Sequence, residues 1–222
     1  MFIENLTNLY SKHANAENAT HMKDYMRGQF EYYGIKTKER RTLIKQAIEL
    51  NKEEVTTNVR ELSFQLYKLP QREFHLTAIE IFDKYLRKKY LESDIDLIER
   101  LITENSWWDT VDFIAKWILG NYLNLYPNMI ETTITRFSNV DNIWLNRSTI
   151  IFQLGYKHNT NEKLLFKQCI AHKDSNEFFI QKAIGWALRE YGKTNPQSVL
   201  NFVNSTNLKP LSHKEAIRNI IK

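Results

Sequence analysis

The chain of 222 residues carries one cysteine, Cys169, four prolines and six glycines. A single cysteine excludes an internal disulfide and fits a reducing cytoplasm, the expected location. It also cannot anchor a zinc or iron–sulfur site. The six histidines show no HExxH or other paired ligand spacing. A Walker loop and a dinucleotide fingerprint are equally missing, so the expectation is no cofactor and no metal. No run of about eighteen apolar residues suggests a membrane span. The stretch from Met1 to Tyr10 lacks a basic segment followed by a long apolar run, so no secretory signal is expected.

Scarce glycine and proline, with no sustained two-residue alternation, leave helix as the prevailing element, and the predicted fold class is all-α. Hydrophobic residues make up 42% of the chain and aromatics 13%, enough to build a core rather than a disordered chain. Pro70, Pro127, Pro196 and Pro210 all fall where one apolar periodicity ends and another begins. Pro196 follows Asn195, a good cap, and suits a first helical position. Ser212 with Glu215 reads as a capping box, and Thr37 opens the run Lys38–Leu50. The periodicity predicts helices over 2–13, 20–29, 37–50, 52–68, 70–90, 93–104, 106–125, 127–138, 141–156, 161–173, 176–192, 196–205 and 212–221. From Thr37 onward they group in pairs of roughly 35–45 residues, the length of HEAT-like helical repeats. Such pairs stack into a curved solenoid with a concave groove, expected here as a single domain over 1–222. An ordinary globular bundle is the competing architecture.

Charge is unevenly spread. Through Asn139 the chain has 19 Lys and Arg against 20 Asp and Glu; from Val140 onward it has 12 against 6. A smaller basic excess lies between Lys23 and Lys45, with seven basic and three acidic residues. A basic C-terminal half suits a polyanion such as nucleic acid, and a solvated face accounts for it equally well.

Three helical segments carry candidate chemistry. In Asn105-Ser-Trp-Trp-Asp-Thr-Val-Asp-Phe, Ser106 has the side chain of an N-cap, and Asp109 suits the positive end of the helix. Trp108 and Asp112 then share one face at i, i+4, where an indole beside a carboxylate forms a surface for a cation. In Asn142-Ile-Trp-Leu-Asn-Arg147, the arginine has Ile143, Ile150, Ile151 and Leu154 on its own face. A guanidinium there either snorkels to water or meets an anion, and Asp112 is a candidate partner. That pairing is equally compatible with an ordinary interhelix bridge. In the segment from Phe178 to Tyr191, Lys182, Trp186, Arg189 and Lys193 line one face, an indole interleaved with three cations. The pattern suits phosphates flanking an aromatic platform, or a packed indole rimmed by solvated charges. Gly185 beside Trp186 costs about 1 kcal/mol in a helix interior, which a close backbone approach would explain.

The segments Trp107-Trp-Asp-Thr-Val-Asp112, Asn142-Ile-Trp-Leu-Asn-Arg147 and Phe178 to Tyr191 resemble the signature stretches of AlkD-type DNA alkylation repair enzymes. These are bacterial alkylpurine DNA glycosylases built from HEAT-like repeats. Gly34 to Arg41 and Pro210 to Ile217 also look like family segments, so the likeness spans essentially the whole chain. The resemblance implies a catalytic carboxylate at Asp112, its arginine at Arg147 and lesion-side tryptophans at Trp108 and Trp186. It implies a cleft tyrosine at Tyr25; the further expected DNA contacts are Thr37 and Arg40, and Lys182, Arg189 and Lys193 from the cationic face of Trp186. Gly155 departs from the pattern, which has a DNA-contacting lysine there. The implied reaction is hydrolysis of the N-glycosidic bond of 3-methyladenine and 7-methylguanine in double-stranded DNA. The enzyme would act as a monomer in base excision repair, with Arg147 lowering the Asp112 pKa. With no nameable lysine nucleophile, a monofunctional hydrolase is expected rather than a lyase. The alternative is a non-catalytic HEAT-like module binding distorted DNA or a protein partner.

Overall fold

The computed structural model describes residues 1–220, and among them the regular structure is helical throughout. The one β-type pairing among these residues is an isolated parallel bridge between Glu31 and Gln71. Inter-residue contacts divide the chain into two compact units, Met1–Lys89 and Tyr90–Lys222.

In the first unit, Phe2–Lys12 packs on Thr37–Leu50, and Lys52–Tyr67 pairs with Arg72–Leu86. The short helix Ala16–Tyr25 starts four residues before its expected position, because Asn15 accepts from the Asn18 amide and caps it there. Thr37 is the first residue of its helix rather than its cap; that place belongs to Lys36, which offers no side-chain acceptor. The turn leading in is held by Glu73. Its carboxylate, buried, accepts from the amides of Tyr33, Gly34 and Ile35 at 3.1, 2.9 and 3.1 Å. Gly34 has φ +84°, and a Cβ there would collide with the Asn15 carbonyl, so this turn tolerates glycine alone.

The second unit contains the segments that carry the candidate chemistry. Asp94–Thr103 ends in a reversal through Asn105, at φ +46°, a left-handed conformation that asparagine tolerates. The chain then enters a continuous helical rod: Trp108–Phe113, a π-helical stretch Ile114–Leu119 and Gly120–Leu125. Ile143–Ile151 and Phe178–Gly192 pack on one another, and Pro210–Ile217 lies along Phe178–Gly192. The predicted stretch 127–138 opens with a 3-10 turn, Pro127–Met129, before Ile130–Ser138; the predicted 141–156 is helical only over Ile143–Ile151. Between these elements Ile150, Leu165, Ile184, Leu188 and Val199 form the core, with Cys169 buried among them. Burial pushes the Cys169 thiol up, so it packs as an inert apolar group.

Two expected caps in this unit are not formed. Ser106 donates to the Ile102 carbonyl at 2.6 Å instead of capping forward, and the N-cap place falls to Trp107, in extended backbone. The last helix begins at Pro210, which puts Ser212 in its third position; the Ser212 hydroxyl donates to the Gln181 carbonyl at 3.0 Å. By contrast, Asn195 caps Pro196–Ser205 by accepting from the Ser198 amide at 3.3 Å, with Pro196 at the first position as expected.

Candidate functional site

Asp112 and Arg147 meet, thirty-five residues apart in sequence. Asn142 caps the helix of Arg147 by accepting from the Trp144 and Leu145 amides, and so fixes where the arginine emerges. The guanidinium donates through Nε to Asp112 Oδ1 at 2.7 Å and through Nη2 to Oδ2 at 2.9 Å. This fork-to-fork geometry is the strongest arrangement such a pair adopts. Nη1 donates to the backbone carbonyl of Phe179, tying the first turn of Phe178–Gly192 to the same arginine. The arginine side chain is 5% exposed and that of Asp112 is 18%. The carboxylate is therefore the open member of the pair, and each of its oxygens keeps a further lone pair.

Sequence reasoning has Arg147 lowering the Asp112 pKa. The arginine does act in that direction through its hydrogen bonds and its charge, but the net shift is upward from the ordinary value of 3.8. Desolvation by burial is the larger effect, and the charge of Asp109 adds to it. Asp112 is thus a carboxylate held at a cost.

An aromatic cluster stands beside Arg147. Trp107, Trp144 and Phe179 form a triangle with centroid separations of 5.7, 5.4 and 5.1 Å, and Arg147 lies 6.0 Å from the Phe179 ring. Phe178 meets Phe179 edge-on and is 55% exposed. These rings come from three separate segments, and the motif reading missed them. Position was the available signal: Trp107 adjoins Trp108, Trp144 lies three residues before Arg147, and Phe179 lies at the start of the segment of Trp186. Trp108 is one turn before Asp112 on the same helix and half-buried. The π-helical stretch begins two residues after Asp112, a widened turn of the kind frequent at functional positions.

Trp186 is half-buried and packs against the core of the second unit, on the helix whose first turn meets Arg147. The cations on its face are already paired. Lys182 lies 3.0 Å from Glu215, Arg189 donates to the same carboxylate, and Lys193 lies 2.6 Å from Glu190. Lys193 also lines a cavity of about 280 Å³ with Gly155, Lys157 and His158; neither Asp112 nor Arg147 contributes to it. Gly155 is exposed, and a Cβ there would lie 3.4 Å from Cε of Lys116. Lys116, one turn beyond Asp112, therefore comes close to that position.

Among the contacts expected in the first unit, Tyr25 is 71% exposed and Thr37 is exposed at its helix start. Arg40 differs from that expectation. It is 3% exposed and donates to both oxygens of Glu80, at 3.3 and 2.9 Å. Its helix turns it inward, while Lys36, Lys38 and Arg41 of this segment are exposed, and Arg41 donates to the same Glu80 at 2.9 Å. Among the described residues no group of three or more His, Cys, Asp or Glu side chains could hold a metal ion. No helix among them is long and apolar enough to cross a membrane.

A family profile described as DNA alkylation repair enzyme matches residues 6–220. Among solved structures, a predicted DNA alkylation repair enzyme from Enterococcus faecalis is similar over 94% of this chain and 97% of its own. The sequences are 32% identical and the TM-score is 0.86. No curated protein matches the chain.

Proposed function

Because the chain belongs to the DNA alkylation repair enzyme family, we propose that it is a monofunctional DNA glycosylase. On this reading it hydrolyses the N-glycosidic bond of cationic purines, 3-methyladenine and 7-methylguanine, in duplex DNA. The observation that carries the reading is the Asp112–Arg147 pair: a largely buried, doubly bonded carboxylate, partly open, whose arginine lies beside an aromatic cluster. Phosphate binding alone gains nothing from a carboxylate at such a place.

Alkylation at N3 or N7 gives the base a positive charge, so it leaves without prior protonation. Bond cleavage then moves positive charge onto the deoxyribose. Asp112 stabilises that charge and orients the attacking water with a lone pair that Arg147 does not use. A carboxylate about 4 Å from a unit charge gains about 4 kcal/mol at an effective dielectric near 20. The Trp108 and Trp186 faces add about 1–2 kcal/mol each by cation–π attraction. A total of roughly 6–8 kcal/mol gives about four to six decades in rate if it acts on the transition state. That suits a labile, cationic leaving group and is too little for a neutral base.

HEAT-like repeats over 1–222 serve as the scaffold, their concave face taking the duplex as a monomer. Tyr25, Thr37, Lys182, Arg189 and Lys193 are assigned as DNA contacts; Arg40 supports its segment through Glu80. The test is release of free 7-methylguanine from methylated duplex DNA, together with the salt dependence of binding. Release above the spontaneous rate, with affinity falling as salt rises, is expected. No release from folded protein that still binds DNA would make the chain a non-catalytic binding module.

A further inference from the structure

One carboxylate from the last helix organises the cationic edge of Trp186. Glu215 lies 3.0 Å from Lys182 and accepts from Arg189, while Arg218 stands at 4.0 Å. Lys182 and Arg189 are seven residues apart, roughly 10 Å along the axis. A single carboxylate that meets both must draw their heads together over the turn between them, the turn of Gly185 and Trp186. Gly185 is what allows this. A Cβ there would collide with Glu215 Cβ and stand 3.0 Å from the Ser212 carbonyl oxygen, so the two helices touch backbone to side-chain root.

We infer that Glu215 is a positioning residue, which fixes Lys182 and Arg189 beside Trp186 so that they hold the phosphates flanking a damaged base. Charge supports this. Lys182, Arg189 and the more distant Arg218 against one carboxylate leave a net positive charge at that edge, enough to attract a phosphate while the carboxylate keeps Lys182 and Arg189 ordered. Lys182 and Arg189 hold the Glu215 carboxyl below the usual range, although burial opposes them. Phosphate does not displace it: the Glu215 side chain is 13% exposed and anchored at its root, and stripping its partners would strand a charge in the protein. The role rests on the glycosylase reading above.

The test is Glu215→Gln, measured for single-turnover release of 7-methylguanine and for affinity toward undamaged duplex. Loss of a negative charge raises the net attraction to DNA, so affinity is expected to hold or rise. Loss of position is expected to lower release at saturating protein by about ten- to a hundredfold. Glu215→Asp, which keeps the charge on a shorter arm, should fall between. In a Lys182→Met/Arg189→Met background, Glu215→Gln should add nothing further. Unchanged release, a parallel loss of affinity and release, or an additive effect in that background would each overturn the role of Glu215. Absence of release by the wild-type chain would instead sink the functional reading itself.

Discussion

Replacing Arg147 by methionine isolates the cost of the buried carboxylate. Methionine fills much of the same volume but supplies no donor and no charge. The pair it breaks has nitrogen–oxygen distances of 2.7 and 2.9 Å, with both side chains less than a fifth exposed. Charge centres about 4 Å apart interact by about 4 kcal/mol at an effective dielectric near 20. Breaking one side of such a pair costs about 3–5 kcal/mol, because the remaining charge stays buried. Urea denaturation near pH 7 should therefore show Arg147→Met destabilised by that amount. Adding Asp112→Asn should restore most of it, a coupling of about 3 kcal/mol. The pH dependence gives an independent check. The folded Asp112 carboxyl is raised above its unfolded value near 3.8. Its contribution to stability is complete below that value and lost as pH rises through the folded one. Asp112→Asn alone should also be destabilising near pH 7, because it leaves the Arg147 guanidinium buried without its anion, and the deficit of Arg147→Met should shrink on acidification. Effects of the two substitutions that add within about 0.5 kcal/mol would refute the coupling on which the site is built.

The same upward shift predicts that base release loses activity on acidification at a higher pH than an ordinary aspartate would dictate, since the ionised form acts; a pH–rate profile with its acid limb at or below 3.8 would contradict this. Trp186→Ala should weaken both DNA binding and excision, because the indole is only half-buried. A change in melting temperature with unaltered excision would make it a core residue alone. Gly185→Ala gains about 1 kcal/mol of helix propensity in isolation but should destabilise the protein by about 1–3 kcal/mol through overpacking against Glu215. Thermal melts decide the sign.

Much of this arrangement is legible in the sequence, and the parts that are not share a physical reason. Arg147 among isoleucines calls for an anion, and Asp112, lying past the first turn, has no local task; that partnership can be read because both anomalies are local. Asn195 before Pro196 is equally readable. Ser106 and Ser212 are not, because a cap depends on where backbone dihedrals turn helical. Asn105 in the left-handed region and Pro210 two residues early move those points. The carboxylates that claim Arg40 and Arg189 lie 40 and 26 residues away, beyond any spacing rule. The upward shift of Asp112 is a matter of burial, which emerges only when three segments close around it. Trp107, Trp144 and Phe179 are individually ordinary aromatics, and their cluster exists only in three dimensions.

The most direct test compares wild type and Asp112→Asn on methylated duplex DNA, with binding and free 7-methylguanine followed in the same samples. Equal binding with release reduced by about three decades is expected from the loss of about 4 kcal/mol of charge stabilisation. Equal binding with equal release would remove Asp112 from the chemistry and leave the pair with Arg147 as a structural bridge.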